Sequence, residues 1–286
     1  MEDSSKQTEL NETRYEEIAK TSSSPWKGLL KESLKEDKTA TLPRVILKTF
    51  GTVRSIPRLY LRLSKKRRKA FAARRLRKWA TDVCRMANVK LDVVGKENIP
   101  SGQACLFVCN HMSPMDIPAL FAATPVPIAF VANYTFSTIP LFRFWTKHSG
   151  SVYVRQGDSA AELGAFKDIV ETLKDGTNLL IFPEGYIFQG EGLAEFKRGG
   201  ISAAVLAQAP IVPVCLWGTQ EAMPPGRLYI KPSTRIHVEF GSPIETKGMS
   251  RSERKNVDQT VYDILLDMKT KASQEQPEAS YQTGTD

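Results

Sequence analysis

Four short segments carry side chains that can do chemistry, and each lies at or within an apolar run typical of a buried strand. In the first, His111 follows the run Ala104–Cys109, and Asp116 comes five residues later. A carboxylate at that spacing can hold one nitrogen of the imidazole, which leaves the other nitrogen to take a proton from an incoming hydroxyl. The acid also has a structural alternative, because from Ser113 to Asp116 the sequence reads S-x-x-D, a helix-capping pattern, with Pro114 at the first helical position. That alternative does not account for His111.

The other three segments have weaker individual signals. Glu184 stands between a proline and a glycine after the apolar run 178–182, and its alternative is an ordinary solvated turn. Arg155 ends the apolar run Val152–Val154, and its alternative is a surface arginine. Pro213 lies inside the apolar run 211–217, where a proline is disfavoured in a central strand unless a bulge is present.

The order of the predicted elements supplies a scaffold that can bring these segments together. Predicted strands alternate with predicted helices, and the strands at 178–182 and 211–217 are almost continuously apolar. We therefore predict an α/β fold, with a mainly parallel or mixed sheet and flanking helices, preceded by an N-terminal basic amphipathic helical segment. In such sheets, functional sites lie beyond the carboxyl ends of the strands.

The charge of the chain is concentrated in one segment. The 286 residues carry a formal net charge of +9, yet residues 41–80 hold 14 basic and no acidic side chains. Apolar residues recur in this segment every three or four positions from Leu42 to Leu63, which favours an amphipathic helix lying in an anionic membrane surface. Two alternatives stay open: nucleic-acid binding through the basic run Lys65–Lys69, and a solvated helix whose apolar face packs on the domain.

Composition divides the chain into four parts. Residues 1–40 are polar and predicted to be disordered, and residues 41–85 are predicted to form the basic amphipathic helices that associate with a membrane. Residues 86–272 are predicted to form the α/β domain, and residues 273–286 a disordered tail.

Three further features limit the class of protein. Met1–Lys20 holds no apolar stretch, so a secretory signal peptide is not expected. The uncharged stretch Ile117–Phe142 is long enough to span a bilayer, but its four prolines interrupt any single helix, so we predict a buried helix, a strand and a second helix. The four cysteines lack C-x-x-C spacing and the three histidines are scattered, so we predict buried free thiols and no metal site.

Taken together, the four segments resemble the signature of the glycerolipid acyltransferase family, most closely its 1-acylglycerol-3-phosphate acyltransferases. The family pattern is N-H-x4-D, then G-x-x-x-x-R, then F-P-E-G, then an apolar V-P-V segment. The corresponding residues here are Asn110-His111 with Asp116, Gly150 to Arg155, Phe182 to Gly185, and Val212 to Val214. Their order and spacing agree with the family, and the resemblance covers roughly residues 85–245.

The resemblance implies an O-acyltransferase that moves a fatty acyl group from acyl-CoA or acyl-ACP to the free hydroxyl of a lysophospholipid. The acceptor it favours is 1-acylglycerol-3-phosphate, which would give phosphatidic acid in phospholipid biosynthesis. It also implies that His111 is the base, that Asp116 orients it, and that five residues line the acceptor site: Arg155, Glu184, Gly185, Lys197 and Arg198. The last two belong to a stretch similar to the family's F-K-x-G and offer cations near a helix N-terminus, which suits a phosphate.

Two departures from the family pattern concern the acceptor. Many members continue F-P-E-G-T-R-S, whereas this chain has Tyr186, Ile187 and Phe188 after the glycine. Many also have a lysine-rich A-K-K-E-L-like segment where this chain has Ala132–Phe136, without a lysine. Two cations expected near the site are therefore absent, and an acceptor with a different head group stays open.

We expect no cofactor apart from the acyl donor. The expected partners are an anionic membrane surface, a lysophospholipid acceptor and acyl-CoA or acyl carrier protein, without nucleic acid. The expected location is the cytoplasmic face of a membrane, with peripheral or monotopic attachment. The alternative from another class is a non-catalytic lipid- or nucleic-acid-binding protein on the same fold, and the retained pair of His111 and Asp116 argues against it.

Overall fold

The computed structural model describes residues 35, 41–54, 64–138, 143, 148–188, 190–197, 199–224, 227 and 229–275. The strands in this part of the chain are β1 (Lys90–Val94), β2 (Leu106–Cys109), β3 (Ile128–Asn133), β4 (Val152–Val154), β5 (Asn178–Ile181), β6 (Ile211–Trp217) and β7 (Arg235–Phe240). The α-helices are α1 (Thr41–Arg54), α2 (Lys65–Met86), α3 (Asp116–Ala123), α4 (Ser159–Lys174), α5 (Gly200–Ala207), α6 (Thr219–Ala222) and α7 (Arg251–Glu275).

The seven strands form one sheet in the order β1-β7-β6-β2-β5-β3-β4. Every neighbouring pair is parallel except β6 with β7, which is antiparallel. Because β2, β3, β4, β5 and β6 all run in the same direction, their carboxyl ends meet at one edge. The mainly parallel α/β sheet expected from the sequence is confirmed.

Helices cover both faces of the sheet. Alternate residues of β2 point to opposite sides: Phe107 packs into a core with α1, α2 and α3, while Leu106 and Val108 pack into a core with α4, α5 and α7. Strand β6 is buried at all seven positions, which explains its continuous apolar sequence. Pro213 fits in this central strand because the continuous antiparallel register with β7 begins one residue later, at Val214. The isolated bridge between Ile211 and Ile244 is offset from that register by one residue, so the pairing is interrupted at the proline.

The basic segment is helical where it is described, and its apolar face packs on the domain. Helix α2 begins after Ser64, whose side chain accepts the N–H of Arg67, and it buries Ala72, Leu76, Ala80 and Val83 in the same core as Phe107. On α1, Leu42, Val45 and Ile46 are buried in that core as well. The rest of the predicted stripe, Ile56 to Leu63, lies outside the described residues. The boundary between residues 85 and 86 stays a prediction, but a shared core crosses it.

The bounds of two helices differ from the sequence predictions. Helix α3 begins at Asp116 and not at Pro114, because residues 114 and 115 form a turn before it. Helix α7 continues to Glu275, three residues into the predicted disordered tail. The remainder of that tail, and residues 1–40 apart from Lys35, lie outside the described residues.

The apolar stretch Ile117–Phe142 contains the predicted helix and strand, α3 and β3, followed by a short 3-10 helix at Tyr134–Thr138. None of the helices in the described part of the chain combines the length and apolar character that a membrane span requires. All four cysteines are buried free thiols, as predicted.

Candidate active site

The candidate site lies at the carboxyl edge of the sheet, where the loops after β2, β4 and β5 meet. Asn110 ties the end of β2 to the end of β6: its side chain donates to the carbonyl oxygen of Leu216 and accepts the N–H of the same residue, at 2.9 and 2.8 Å. This amide is buried, so both of its polar groups need partners. The paired contacts place the next residue, His111, immediately beyond the edge of the sheet.

His111 and Asp116 form the closest polar pair of the site. The Nδ1 atom of His111 lies 2.6 Å from Oδ2 of Asp116. The carboxylate is completely buried, while the imidazole keeps part of its surface exposed. The imidazole ring also stacks on Phe182, with ring centres 4.0 Å apart and planes 15° from parallel. Held on one nitrogen and one face, the ring presents Nε2 as the atom that can take a proton.

Asp116 also organises the turn before α3. Its Oδ2 accepts the backbone N–H groups of Met112, at 2.7 Å, and Ser113, at 3.0 Å. One oxygen therefore contacts both the turn and the imidazole. Ser113 supports the turn through its hydroxyl, which accepts the N–H of Met115 and donates to the carbonyl oxygen of Met223.

Glu184 is a buried structural partner of the histidine loop and not a solvated turn residue. Its Oε1 accepts the backbone N–H of His111 at 2.9 Å, and its Oε2 accepts the N–H of Ala194 at 3.2 Å. Burial raises the pKa of this carboxyl to about 7, against the lowering effect of these two backbone contacts and of nearby positive charge. A second link joins the same loops, because the N–H of Phe188 donates to the carbonyl oxygen of His111.

Gly185 and Lys197 are in contact. Gly185 has a φ of +76°, and a Cβ added there would lie 2.7 Å from Nζ and 2.8 Å from Cδ of Lys197. The N–H of Lys197 donates to the carbonyl oxygen of Pro183, and its ammonium donates to Oε1 of Gln156 at 2.6 Å. The glycine thus leaves room for a cation that connects the loop after β5 to the loop after β4.

Arg155 is exposed and faces an aromatic residue. Its guanidinium carbon lies 4.1 Å from the ring centre of Tyr134, which is a cation–π distance. The ring of Tyr134 meets that of Tyr153 edge to face.

The structure therefore brings His111, Asp116 and Glu184 into one hydrogen-bonded network and joins Gly185 to Lys197. Arg198, the remaining predicted site residue, lies outside the described residues. Sequence reasoning assigned no role to Asn110 or Phe182, although both belong to the motifs that flank the site. It also missed the buried Lys269 on α7, for which the sequence holds no local signal. Within the described part of the chain, no group of three metal-binding side chains comes together.

A histidine–aspartate pair at the carboxyl edge of an α/β sheet is an arrangement that can activate a hydroxyl group. A family model described as Acyltransferase matches residues 90–217, which include every strand except β7 and both motif loops. Residues 90–217 are therefore similar to the Acyltransferase family, in agreement with the resemblance that the four motifs show.

The curated relatives include a chloroplastic 1-acyl-sn-glycerol-3-phosphate acyltransferase, BAT2 of Brassica napus, 30% identical over 156 residues, which are 54% of this chain and 45% of that protein. The chain thus spans less than half the length of this relative. A lyso-ornithine lipid O-acyltransferase of Pseudomonas aeruginosa is 29% identical over 190 residues, 61% of this chain and 71% of that protein.

A comparison with solved structures supports the fold. The crystal structure of the 1-acyl-sn-glycerophosphate acyltransferase PlsC from Thermotoga maritima has a TM-score of 0.63 and 22% sequence identity. The match covers 97% of this chain and 98% of that one. At this identity, the likeness establishes the architecture.

Proposed function

We propose that the protein transfers a fatty acyl group from the thioester of acyl-CoA or acyl-ACP to the free hydroxyl of a lysophospholipid. The observation that carries this proposal is the 2.6 Å contact between Nδ1 of His111 and Oδ2 of Asp116 at the carboxyl edge of the sheet. In this proposal His111, oriented by Asp116, is the base. The acceptor supplies the hydroxyl group that a serine supplies in a hydrolase triad.

In the proposed reaction, Nε2 of His111 takes the proton of the acceptor hydroxyl while the hydroxyl oxygen attacks the thioester carbonyl carbon. Asp116 stabilises the imidazolium that forms, because its carboxylate is buried and already contacts Nδ1. The tetrahedral intermediate then collapses, the carbon–sulfur bond breaks, and the leaving sulfur takes the proton from His111. The products are an ester and a free thiol, and the base returns to its starting form.

The acceptor we propose first is 1-acylglycerol-3-phosphate, which would give phosphatidic acid. Several relatives carry that substrate in their names. Lys197 lies beside Gly185 on the loop that leads to α5, where its ammonium can attract a phosphate. Arg155 is the residue before Gln156, which that ammonium contacts. Arg198 extends the same cationic stretch in the sequence.

A second acceptor class is favoured by the residues that follow Gly185. Tyr186 and Ile187 occupy positions where many family members have threonine and arginine, so the loop offers one cation fewer. The similarity to a lyso-ornithine lipid O-acyltransferase supports an acceptor with a head group other than phosphate. The reaction is the same with either acceptor, because the hydroxyl chemistry depends on His111 and Asp116.

We also propose that the protein works at the cytoplasmic face of an anionic membrane, where a lysolipid acceptor is found. The support is the charge of residues 41–80 together with the exposed positions of Arg67, Arg74 and Arg77 along α2. Leu42, Val45 and Ile46 of α1 pack inward with the apolar face of α2, whereas Leu47 is exposed. The proposed attraction is therefore mainly electrostatic and comes from the outer face of α2.

The proposed function is tested by following thiol release from acyl-CoA and acyl-ACP with a panel of lysolipid acceptors, and by measuring the mass of the product. The panel contains 1-acylglycerol-3-phosphate, lyso-ornithine lipid and lysophospholipids with other head groups. We expect acceptor-dependent thiol release with the wild-type protein and a loss of roughly 10³-fold or more with His111→Ala. Far-UV circular dichroism checks that the variant is folded.

Near-normal turnover by folded His111→Ala would overturn the assignment of the base. Wild-type protein that transfers no acyl group to any acceptor would instead favour the non-catalytic binding protein. The acceptor that gives the highest kcat/KM decides between the two acceptor classes.

A further inference from the structure

Helix α7 lies outside the residues that the family model matches, yet it carries a buried lysine. Lys269 is 5% exposed, and its Nζ donates hydrogen bonds to the carbonyl oxygens of Gly190, at 3.5 Å, and Gly192. The same atom lies 5.8 Å from the ring centre of Phe188. Burying an ammonium group is unfavourable unless hydrogen bonds and an opposite charge replace its hydration. A lysine at this position therefore calls for an explanation beyond helix packing.

The groups that receive these hydrogen bonds belong to the loop between β5 and α5, which forms one wall of the site. Helix α7 holds the same loop at a second point, because the hydroxyl of Tyr262 donates to the carbonyl oxygen of Leu193 at 3.1 Å. The next residue, Ala194, donates its N–H to Oε2 of Glu184. Helix α7 therefore fixes the loop at the residue before Ala194. The carboxylate that accepts the N–H of Ala194 is the one that also accepts the backbone N–H of His111.

Lys269 and Glu184 also influence each other through charge. Burial raises the pKa of Glu184 to about 7, and among the charged side chains Lys269 lowers this pKa the most. Burial lowers the pKa of Lys269, and Glu184 is the group that raises this pKa the most. Each group thus favours the charged form of the other in a region with little water. The other titratable groups that face this pair are His111, Asp116, Cys109 and Cys215.

We propose, on the basis of the acyl-transfer function above, that Lys269 is a positioning residue for the active site. Its ammonium fixes the loop after β5 and balances the buried charge of Glu184, so that this carboxylate holds the backbone of His111. Lys269 affects the position of the histidine through Glu184, and Lys269 itself does not contact the reacting atoms.

The proposal has a consequence for the pH dependence of acyl transfer. The hydrogen bonds to the N–H groups of His111 and Ala194 are strongest when Glu184 is a carboxylate. Activity should therefore fall as the pH drops through the pKa of Glu184. Removing the positive charge of Lys269 raises that pKa, so the acid limb of the kcat/KM profile should move to higher pH, by about one unit.

The experiment compares the pH profiles of the full-length wild-type protein and four variants: Lys269→Gln, Lys269→Arg, Glu184→Gln, and the double variant with Lys269→Gln and Glu184→Gln. Glutamine can still donate to the carbonyl oxygens of the loop but carries no charge, whereas arginine keeps the charge. The control is Lys271→Met, on the same helix, which removes an exposed lysine paired with Asp267. Circular dichroism and thermal unfolding are measured for each protein.

We expect Lys269→Gln to lower kcat/KM about tenfold at pH 7 and to shift the acid limb upward, with kcat affected more than KM. Lys269→Arg should restore the profile, and Lys271→Met should match the wild type. In the Glu184→Gln background, Lys269→Gln should no longer shift the limb. A shift that persists in that background would mean a direct effect on His111 and would overturn the proposal, as would a wild-type profile for Lys269→Gln.

If Lys269→Gln does not fold, the double variant carries the test. Balanced charges predict that removing both recovers folding, because no unpaired carboxylate is left buried. A double variant that stays unfolded would overturn the proposal. The wild-type protein and His111→Ala test the acyl-transfer function independently, so failure of that function is distinguished from failure of the role of Lys269.

Discussion

At the scale of single residues, Asp116 concentrates several contacts on one oxygen. Its Oδ2 accepts the N–H groups of Met112 and Ser113 and lies 2.6 Å from Nδ1 of His111. The backbone contacts hold the carboxylate in place, so in the proposed reaction the charge opposite the imidazolium is oriented before the substrate binds. The residue that starts α3 is thus also the one whose carboxylate contacts Nδ1 of His111, the base of the proposed reaction.

Replacing Asp116 with asparagine tests this double role. The amide oxygen can still accept a backbone N–H, so we expect the turn and the fold to persist. The negative charge opposite the imidazolium is lost, so kcat should fall by about 10³- to 10⁴-fold. Steady-state kinetics and thermal unfolding are measured together. A large drop in Tm with a proportionate loss of activity would show that Asp116 serves the turn alone.

At the scale of elements, the site is built from loops that parallel strands deliver to one edge. The loop after β2 supplies His111, and the loop after β5 supplies Glu184 and Gly185. A backbone hydrogen bond joins these loops directly, since the N–H of Phe188 donates to the carbonyl oxygen of His111. A second one, from the N–H of Lys197 to the carbonyl oxygen of Pro183, closes the loop after β5 on itself. The loops are therefore held to each other as well as to the strands.

Gly185→Ala tests the fit between the loop after β5 and Lys197. At this positive φ an alanine destabilises the folded protein by about 1 kcal/mol relative to glycine. The added Cβ would also force Lys197 away from Gln156. We expect a modest loss of stability and a loss of kcat/KM of about tenfold or more. Both are measured on purified protein, by thermal unfolding and by acyl transfer.

The matched control for that substitution is Gly176→Ala. Gly176 has nearly the same φ, +79°, and an added Cβ would have no atom within 4 Å. It should lose similar stability and keep its activity. Equal activity losses in the two variants would show that backbone strain, and not the displacement of Lys197, explains the effect.

At the scale of the whole molecule, the positive charge and the hydrophobic core share one helix. Helix α2 buries Ala72, Leu76, Ala80 and Val83 against the sheet while Arg67 and Arg74 face outward. Removing the helix would open the core, so its proposed membrane role is tested by changing its outer face.

We predict that the double variant Arg67→Glu with Arg74→Glu binds anionic vesicles at least about tenfold more weakly than the wild type. The two arginines are exposed, so the fold should be unaffected. Vesicle sedimentation at low and moderate salt measures the binding. The control variant, Arg251→Glu with Lys255→Glu, makes the same change in net charge at exposed positions of α7. Equal weakening in both variants, or none in the first, would contradict a localised membrane surface on α2.

Several features of this fold could be predicted from short, local sequence patterns. The apolar runs of β5 and β6 and the placement of His111 after a strand were predictable, because strand patterns extend over only a few residues. The start of α3 was predicted two residues too early, since Ser113 caps a turn and bonds to Met223, 110 positions away.

What the sequence determined by itself is the chemistry: a histidine and a carboxylate at a spacing that one turn can close, and an acidic residue at a second strand end. What only the tertiary structure decided is how these groups depend on one another. Glu184 reaches the backbone of His111 across 73 positions, and Lys269 reaches the loop beside it across 77 or more. The apolar face of α2 likewise meets the sheet instead of a membrane. Such contacts arise when strands distant in the chain become neighbours in a sheet, and no local pattern of residues encodes that pairing.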